Sequence, residues 1–360
     1  MRSGVKFQDP PFNPPPIKVE GKTDISGWEQ TNEWAGLNIN PVLAEPVEAH
    51  SPFDKLSSNG LQISLRCINN AENTDAVFLE SAPDVIAYNN MQDDLFDRAF
   101  ACLQSAEVDT KLALVAALRR AWEQGELSRQ GGLSSVVSIP FPGHPEKPEL
   151  VSALLVEKRK LSTPEGRAAL IHSLAHIEFN AINLALDAVY RFREMPEAYY
   201  GDWLKVAAEE AYHFALLRDH LLTLGFQYGD FTAHNGLWEM AVITDHDPLV
   251  RMALVPRVLE ARGLDVTPAI KQKLASIGDR AAADILEIIH RDEIGHVAIG
   301  NRWYAYLCNQ RGLQPIATFR QLLREYNAPK LRGPLHTEAR LAAGFTEDEM
   351  KMLEQLVSQT

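Results

Sequence analysis

The chain has 360 residues, of which 46% are hydrophobic, and a formal net charge of −13. This length suits one large domain or two ordinary ones, and the acidic balance argues against nonspecific nucleic-acid binding through a basic face. The three cysteines, Cys67, Cys102 and Cys308, are too few and too scattered for a disulfide framework or a thiolate metal site. No apolar run approaches the roughly 18 residues that a membrane span needs. We therefore expect a cytoplasmic protein with no membrane partner.

The N-terminal quarter of the chain shows little periodicity. Prolines cluster from Pro10 to Pro16, and polar residues are spread through the rest. This composition predicts an irregular or disordered extension over residues 1–85, with no role in function. Helical periodicity begins near Asp93, and residues 90–160 are predicted to be a helical N-terminal segment followed by a linker.

Four long helices are predicted in the region 161–310. The first begins at a capping box formed by Ser162 and Glu165. The predicted bounds of the four are about 162–193, 202–224, 235–262 and 278–309, with a kink at Pro248. A long connection separates the second from the third, and the chain is predicted to turn at 263–267 before a short helix from Pro268. This order predicts an all-α fold, a ferritin-like four-helix bundle with additional N- and C-terminal helices, the latter in 311–360.

One motif, an acid followed by Glu-x-x-His, occurs on two of these helices, as Glu209-Glu210-x-x-His213 and as Asp292-Glu293-x-x-His296. The Glu and the His of each motif are three residues apart, so they are neighbours on the helix and can bind one metal ion. The preceding acid stands four residues before the His and is predicted to hold that histidine's other ring nitrogen. Both motifs interrupt apolar stripes, where an unpaired carboxylate or imidazole would cost several kcal/mol.

A third Glu-x-x-His, Glu287 to His290, offers an alternative register on the last helix. Its face carries Arg280, Asp284 and Arg291, which is typical of a solvated surface, and Glu287 can pair with Arg291 one turn later. We therefore favour Glu293 and His296 as the metal-binding pair.

A two-metal site in a bundle also needs one lone Glu from each remaining helix. Glu178 and Glu260 lie on apolar stripes, and the separation from Glu178 to Glu210 nearly equals that from Glu260 to Glu293, as expected of a duplicated helix pair. Carboxylates with two imidazoles suit two iron ions, with manganese or a mixed iron–manganese pair as options, better than tetrahedral zinc. The predicted metal ligands are Glu178, Glu210, His213, Glu260, Glu293 and His296, with Glu209 and Asp292 behind them.

Several alternatives stay open at this point. Glu178 could have a structural partner, Glu260 could pair with Arg257 or Arg262, and the whole set could be a vestigial site. Two histidines at zinc-like spacing, His172 and His176, lack a third ligand and face away from Glu178. The aromatic residues near the motifs are expected to pack rather than to carry electrons, namely Tyr212, Trp303 and Tyr304.

The sequence resembles an uncharacterised bacterial ferritin-like family over about residues 90–357. The resemblance rests on four runs, HSLAHIEFNAINLALD, AAEEAYHFALLRDHL, LVPRVLEARGLDVTP and ILEIIHRDEIGHVAIGNRW. More widely it is similar to di-iron carboxylate proteins, including the hydroxylase of isopentenylated tRNA adenosine and the hydroxylase of ubiquinone biosynthesis. The Glu-Ala-Arg that begins at Glu260 in this sequence is similar to the tRNA hydroxylase. The resemblance implies a metal site and dioxygen chemistry, but brings no substrate.

Three functions compete. The first is a dioxygen-dependent oxidase or hydroxylase, an enzyme that needs an electron donor and a small-molecule or modified-nucleoside substrate that the sequence does not identify. The second is metal handling, as a ferroxidase, iron store or peroxide scavenger; the additional helices argue against a storage cage. The third is a structural bundle with an inert metal.

Overall fold

The protein was analysed as a computed structural model that describes residues 93–129 and 135–359. The extension predicted over residues 1–85, together with Cys67, lies outside these ranges. Regular structure in the described ranges is helical, and the only β pairing found there consists of two isolated bridges. The predicted all-α fold is therefore confirmed.

The helices are numbered here in chain order. Their bounds are α1 Leu95–Gln104, α2 Val108–Glu123, α3 Pro164–Arg191, α4 Glu197–Thr223, α5 Gly236–Ile243, α6 Pro248–Leu254, α7 Ala261–Ser276, α8 Arg280–Gln310, α9 Pro315–Glu325, α10 Thr337–Ala342 and α11 Glu347–Ser358. A π-helical segment, Val255–Glu260, joins α6 directly to α7. None of the helices described is both long enough and apolar enough to cross a membrane.

Two helix starts differ from the sequence prediction. The cap of α3 is Thr163, whose hydroxyl accepts a hydrogen bond from the Gly166 N–H, so the predicted capping box at Ser162 and Glu165 is wrong by one residue. The second long helix begins at Glu197 rather than at Asp202, because Pro196 supplies an extended residue at the N-cap. Its predicted end is confirmed, since the adjoining Gly225 has a φ of +82°.

The predicted third long helix is broken into α5, α6 and the π segment. Asp247 caps α6 by accepting from the Leu249 N–H, so Pro248 starts a helix instead of kinking one. The turn predicted at 263–267 is also wrong, because α7 runs through it and through Pro268. Pro268 has no N–H with which to bond the carbonyl of Leu264 one turn earlier, and the His290 ring lies close to that backbone.

The core consists of two closely packed helix pairs, α3 with α4 and α7 with α8, and α4 also contacts α8. The π segment lies against α8 at Gly300, where an added Cβ would be 2.3 Å from Pro256. The first two helices cover this core from outside, α1 on α3 and α2 on α4, and the C-terminal helices pack around α6, α7 and α8. This arrangement brings the buried stripes of α3, α4, the π segment and α8 together.

Candidate metal centre

Carboxylates and imidazoles from three helices meet inside the core. The ligand atoms of four buried residues, Glu178, Glu210, His213 and Glu293, lie within 4.8 Å of one another. This group can hold a metal ion. It combines the lone Glu of α3 with the Glu-x-x-His motif of α4 and the Glu of the motif on α8, as the sequence analysis expected.

Glu210 stands between the two histidines. Its Oε2 lies 3.3 Å from His213 Nδ1, and its Oε1 lies 3.0 Å from His296 Nδ1. Each histidine has a second carboxylate beside the same nitrogen: Glu178 Oε2 is 3.4 Å from His213 Nδ1, and Glu293 Oε1 is 3.6 Å from His296 Nδ1. The cluster thus divides into two Glu–His halves that share Glu210.

The sixth predicted residue, Glu260, ends the π segment and lines the same pocket as Glu178 and Glu293. The alternative pairing of Glu260 is wrong: Arg257 bonds to Asn301 and Glu349, and Arg262 bonds to the Arg332 carbonyl. π-helical turns are rare and often occur at functional sites. Periodicity alone does not predict this π segment, although Pro256 inside a helical pattern is a signal for it.

Five side-chain atoms of the cluster are buried and have no hydrogen-bond partner. They are Glu178 Oε2, Glu210 Oε1, Glu260 Oε2, Glu293 Oε2 and His296 Nδ1. Glu210 Oε1 and His296 Nδ1 lie within ion-pair distance of each other, as do Glu178 Oε2 and His213 Nδ1, but neither contact has the angles of a hydrogen bond. An unsatisfied buried polar group costs about 1–3 kcal/mol, and more when it is charged, so native structures rarely keep several together. Four carboxylate oxygens and one imidazole nitrogen are the ligand types that iron or manganese accepts. The residues therefore fit the predicted metals.

The pKa shifts in the cluster agree with this crowding of acids. Burial raises the pKa values of Glu178, Glu260 and Glu293 above their ordinary range, and neighbouring carboxylates raise them further. Burial also disfavours the charged form of Glu210, but His296 and His213 outweigh it and hold the pKa of that carboxyl low. In the metal-free cluster the outer carboxyls thus hold a proton more strongly than ordinary carboxyls do, and a cation would compete with that proton.

The Nε2 atom of each histidine pairs with the acid of the other motif, so the two supporting acids are crossed between α4 and α8. His213 Nε2 lies 3.2 Å from Asp292 Oδ2, and His296 Nε2 lies 2.9 Å from Glu209 Oε2. The predicted pairing within each motif is therefore wrong. Because Nδ1 of each ring faces the carboxylates in the centre, Nε2 at the far edge points towards the neighbouring helix and meets the acid there. The two motifs consequently position each other.

In the alternative register on α8, Glu287 is solvated as expected, whereas His290 is half-buried against His336. Glu287 is exposed and pairs with Lys271, not with the predicted Arg291. His172 accepts from the Gly229 N–H, and His176 Nδ1 lies 2.8 Å from the Tyr228 hydroxyl, so both have structural partners. Trp303 donates to Asp202 and Tyr304 to the Pro315 carbonyl, whereas Tyr212 is 45% exposed.

An apolar pocket opens beside the carboxylates. Besides Glu178, Glu260 and Glu293, it is lined by Leu174, Ile177, Ala181, Leu184, Leu237, Leu259, Gly263, Thr267, Leu286 and Ile289. Its free volume of about 30 Å³ suffices for one or two water-sized molecules. Gly263 and Thr267 were missed as lining residues because the sequence analysis placed a turn there. No Lys, Arg or His lines this pocket.

Comparisons with known proteins place the site inside one family. Residues 104–351 match the family described as "Protein of unknown function (DUF455)". A protein of Haemophilus influenzae with the name "Uncharacterized protein" is 56% identical over 213 residues, which cover 57% of this chain and 74% of that protein. No solved structure matches the chain.

Proposed function

The chain belongs to the DUF455 family, and we propose that it is a ferritin-like di-iron protein that uses dioxygen to oxidise or hydroxylate an apolar group of its substrate. The observation that carries this proposal is the convergence of orphaned carboxylate oxygens around Glu210, between two histidine nitrogens. Such a set is costly without cations, because an unsatisfied buried oxygen raises the free energy of the folded state.

The residues divide into clear roles. Glu210 would bridge the two ions, Glu178 and His213 would complete one side, and Glu293 and His296 the other. Glu260 supplies a further carboxylate from the π segment. The metals would supply the redox chemistry with dioxygen, while the protein fixes their ligands and excludes water. Manganese, or one ion of each kind, is compatible with the same ligands.

The crossed acids, Asp292 and Glu209, support the histidines from behind. Each carboxylate accepts a hydrogen bond from the Nε2–H of one histidine, so that Nδ1 of each imidazole stays directed at the centre of the cluster. Asp292 also accepts from Arg291, and Glu209 from Lys205. These surface cations fix the orientation of the acids, which in turn fix the orientation of the rings.

The pocket supports an apolar substrate group. Its walls are aliphatic apart from Thr267 and the carboxylates themselves, so a charged group would lose its hydration there with nothing to replace it. With a free volume of about 30 Å³, the pocket has room for a methyl-sized hydrocarbon group of a larger molecule, whose polar remainder would stay outside.

The first test is metal analysis of the full chain, followed by anaerobic loading with ferrous iron and exposure to dioxygen in a stopped-flow spectrometer. We expect about two irons per chain and a transient visible absorption. Glu210→Ala and Glu293→Ala should each lose the metal. Glu287→Ala is the matched control, because Glu287 belongs to a Glu-x-x-His on the same helix but is exposed; it should retain the metal.

The contrary outcomes separate the competing functions. Ferrous iron that is oxidised and accumulates far beyond two ions per chain would favour metal handling. A single redox-inert ion would favour a structural role. Normal metal content in Glu210→Ala or Glu293→Ala would reject the ligand assignment itself.

A further inference from the structure

A second cavity, much larger than the pocket beside the carboxylates, lies between α8, α9 and the start of α11. It has a volume of about 1040 Å³, at the upper end of the range for small-molecule sites. Arg257 and Asn301 line it, together with α9 residues from Gln314 to Glu325 and the segment around Thr346. Nothing in the proposed metal chemistry uses this cleft.

Arginine is the notable side chain of the cleft. Arg257, Arg320 and Arg324 all line it. In the described part of the chain, the only ion pair formed by any of the three is that of Arg257 with Glu349. The Nε atoms of Arg257 and Arg320 are buried and have no hydrogen-bond partner. The guanidinium of Arg257 is already engaged by Asn301 and Glu349, so Arg320 and Arg324 are the two arginines of the cleft whose charge an anionic ligand can neutralise.

The acids of the cleft are already engaged. Glu349 accepts from Arg257 through Oε1 and from the Thr346 N–H and hydroxyl through Oε2. Glu325 is exposed and accepts from Gln321. Neither carboxylate reaches Arg320 or Arg324 within ion-pair distance. The positive charge of these two residues is therefore free for a ligand.

The backbone of α9 adds donors at the same place. Its N-cap, Gln314, makes no side-chain hydrogen bond to the first turn, and Gln314, Ile316 and Ala317 line the cleft. Uncapped N–H groups at a helix start attract anions, both as donors and through the helix dipole. This end of α9 and the guanidinium of Arg320 line one cavity.

The floor of the cleft is rigid. Arg257 is only 2% exposed, and its guanidinium lies over the rings of Tyr304, Phe319 and Phe345. A preformed site loses little conformational entropy when it binds a ligand. The remaining walls include Tyr304, Ala305 and Ile316, which suit an organic body.

We propose that this cleft binds an organic oxyanion, a phosphorylated or carboxylated small molecule, through Arg320, Arg324 and the N-terminus of α9, above the fixed guanidinium of Arg257. Guanidinium groups pair with carboxylate and phosphate oxygens in the same planar geometry. The volume is far larger than a free phosphate needs, so the anion is carried by a larger molecule. The site is separate from the metal centre.

The test is isothermal titration of the full chain, both metal-free and iron-loaded, at low ionic strength. The probes are inorganic phosphate, AMP, ATP and citrate. We expect at least one organic anion to bind with a Kd below about 1 mM and more tightly than inorganic phosphate. AMP and ATP distinguish a phosphate ligand from the carboxylate class that citrate represents.

Variants then locate the site. Arg320→Ala should weaken binding by roughly tenfold or more, since a hydrogen bond to a charged group is lost, and Arg324→Ala by less because Arg324 is exposed. Arg280→Ala is the matched control, because Arg280 is an exposed arginine outside the cleft.

Unchanged affinity in the Arg320→Ala, Arg324→Ala double variant would overturn the proposal. So would inorganic phosphate that binds as tightly as the organic anions, or no binding by any probe. These results do not depend on iron, so they are distinct from a failure of the metal assignment.

Discussion

Two groups of buried charges lie in the same bundle, and the protein treats them in opposite ways. In the first group, Asp187 on α3 is fully buried and accepts from Arg191 one turn later and from Arg251 on α6, at 2.6 Å. Arg251 also donates to the Thr244 hydroxyl and to the Ala241 carbonyl. Each buried charge in this group has a partner of opposite charge and further hydrogen bonds.

The second group, the acids and histidines around Glu210, is equally buried but not satisfied. Its acids face one another, and five of its polar atoms have no hydrogen-bond partner. A buried charge by itself therefore does not mark a functional site, since a bundle can neutralise one with an arginine. What distinguishes the metal centre is the set of partners that the chain leaves out.

The largest effect is expected where the satisfied group is broken. Asp187→Ala leaves Arg251 buried without its counter-charge, which typically costs about 3–5 kcal/mol of unfolding free energy. Urea denaturation of the metal-free protein measures this cost. Asp348→Ala is the control, because Asp348 pairs with Lys351 at the surface, where a salt bridge contributes about 0–1 kcal/mol. Equal losses in the two variants would remove the distinction between the buried network and a surface pair.

Asp187→Ala should also leave the metal centre working. Any of this variant that remains folded should bind the same amount of iron as the wild type, because Asp187 contributes no atom to the cluster around Glu210. Loss of iron from folded Asp187→Ala would mean that the two groups act as one network.

A smaller effect tests the crossed acids. Asp292→Asn and Glu209→Gln should each lower metal affinity about 10–100-fold, as the removal of such supporting acids commonly does, measured by competition with a chelator. The crossing itself can be read by nitrogen NMR of the imidazoles in the metal-free protein. Asp292→Asn should shift the Nε2 resonance of His213, and Glu209→Gln that of His296. The opposite pattern would restore the pairing within each motif.

The sequence predicted the α3, α4 and α8 parts of the bundle and of the site because local patterns determine them. The stripes of α4 and α8 repeat every three to four residues, and each Glu-x-x-His pair lies within one helical turn. Glu178 followed from the same periodicity. Its helix contains no proline after the first turn, so nothing distorted the reading. For these elements, neighbours in sequence are also neighbours in the structure.

The region from Asn235 to Ser276 was predicted wrongly because contacts between distant parts of the chain, and not local patterns, determine its structure. Pro248, Pro256, Gly263 and Pro268 are all local signals to break a helix, but Gly263 and Pro268 lie inside α7. Pro248 starts α6, and Pro256 is the second residue of the π segment, where it packs against Gly300 of α8. Tertiary packing decides which of these signals takes effect. The crossing of Asp292 and Glu209 likewise depends on how α4 and α8 face each other, which periodicity does not encode.

The smallest expected effect is a gain in stability. Glu260→Leu removes a carboxyl whose Oε2 is buried without a hydrogen-bond partner. Burial raises the pKa of this carboxyl, and the nearby Glu293 and Glu210 raise it further. In the metal-free protein this change should increase the unfolding free energy by about 1–2 kcal/mol, because an unsatisfied polar group is replaced by an aliphatic one. Urea denaturation in the presence of a chelator measures it.

The matched control for this gain is Glu349→Leu, at a buried carboxylate that pairs with Arg257 and caps α11. That variant should lose stability, since it leaves Arg257 buried without its counter-charge. With saturating iron the sign at Glu260 should reverse, because a metal that binds only the folded state stabilises the wild type by about 2.7 kcal/mol at one hundred times its Kd. A loss of stability in metal-free Glu260→Leu would show that Glu260 has a structural partner. It would then belong with Asp187 rather than with the acids of the metal centre.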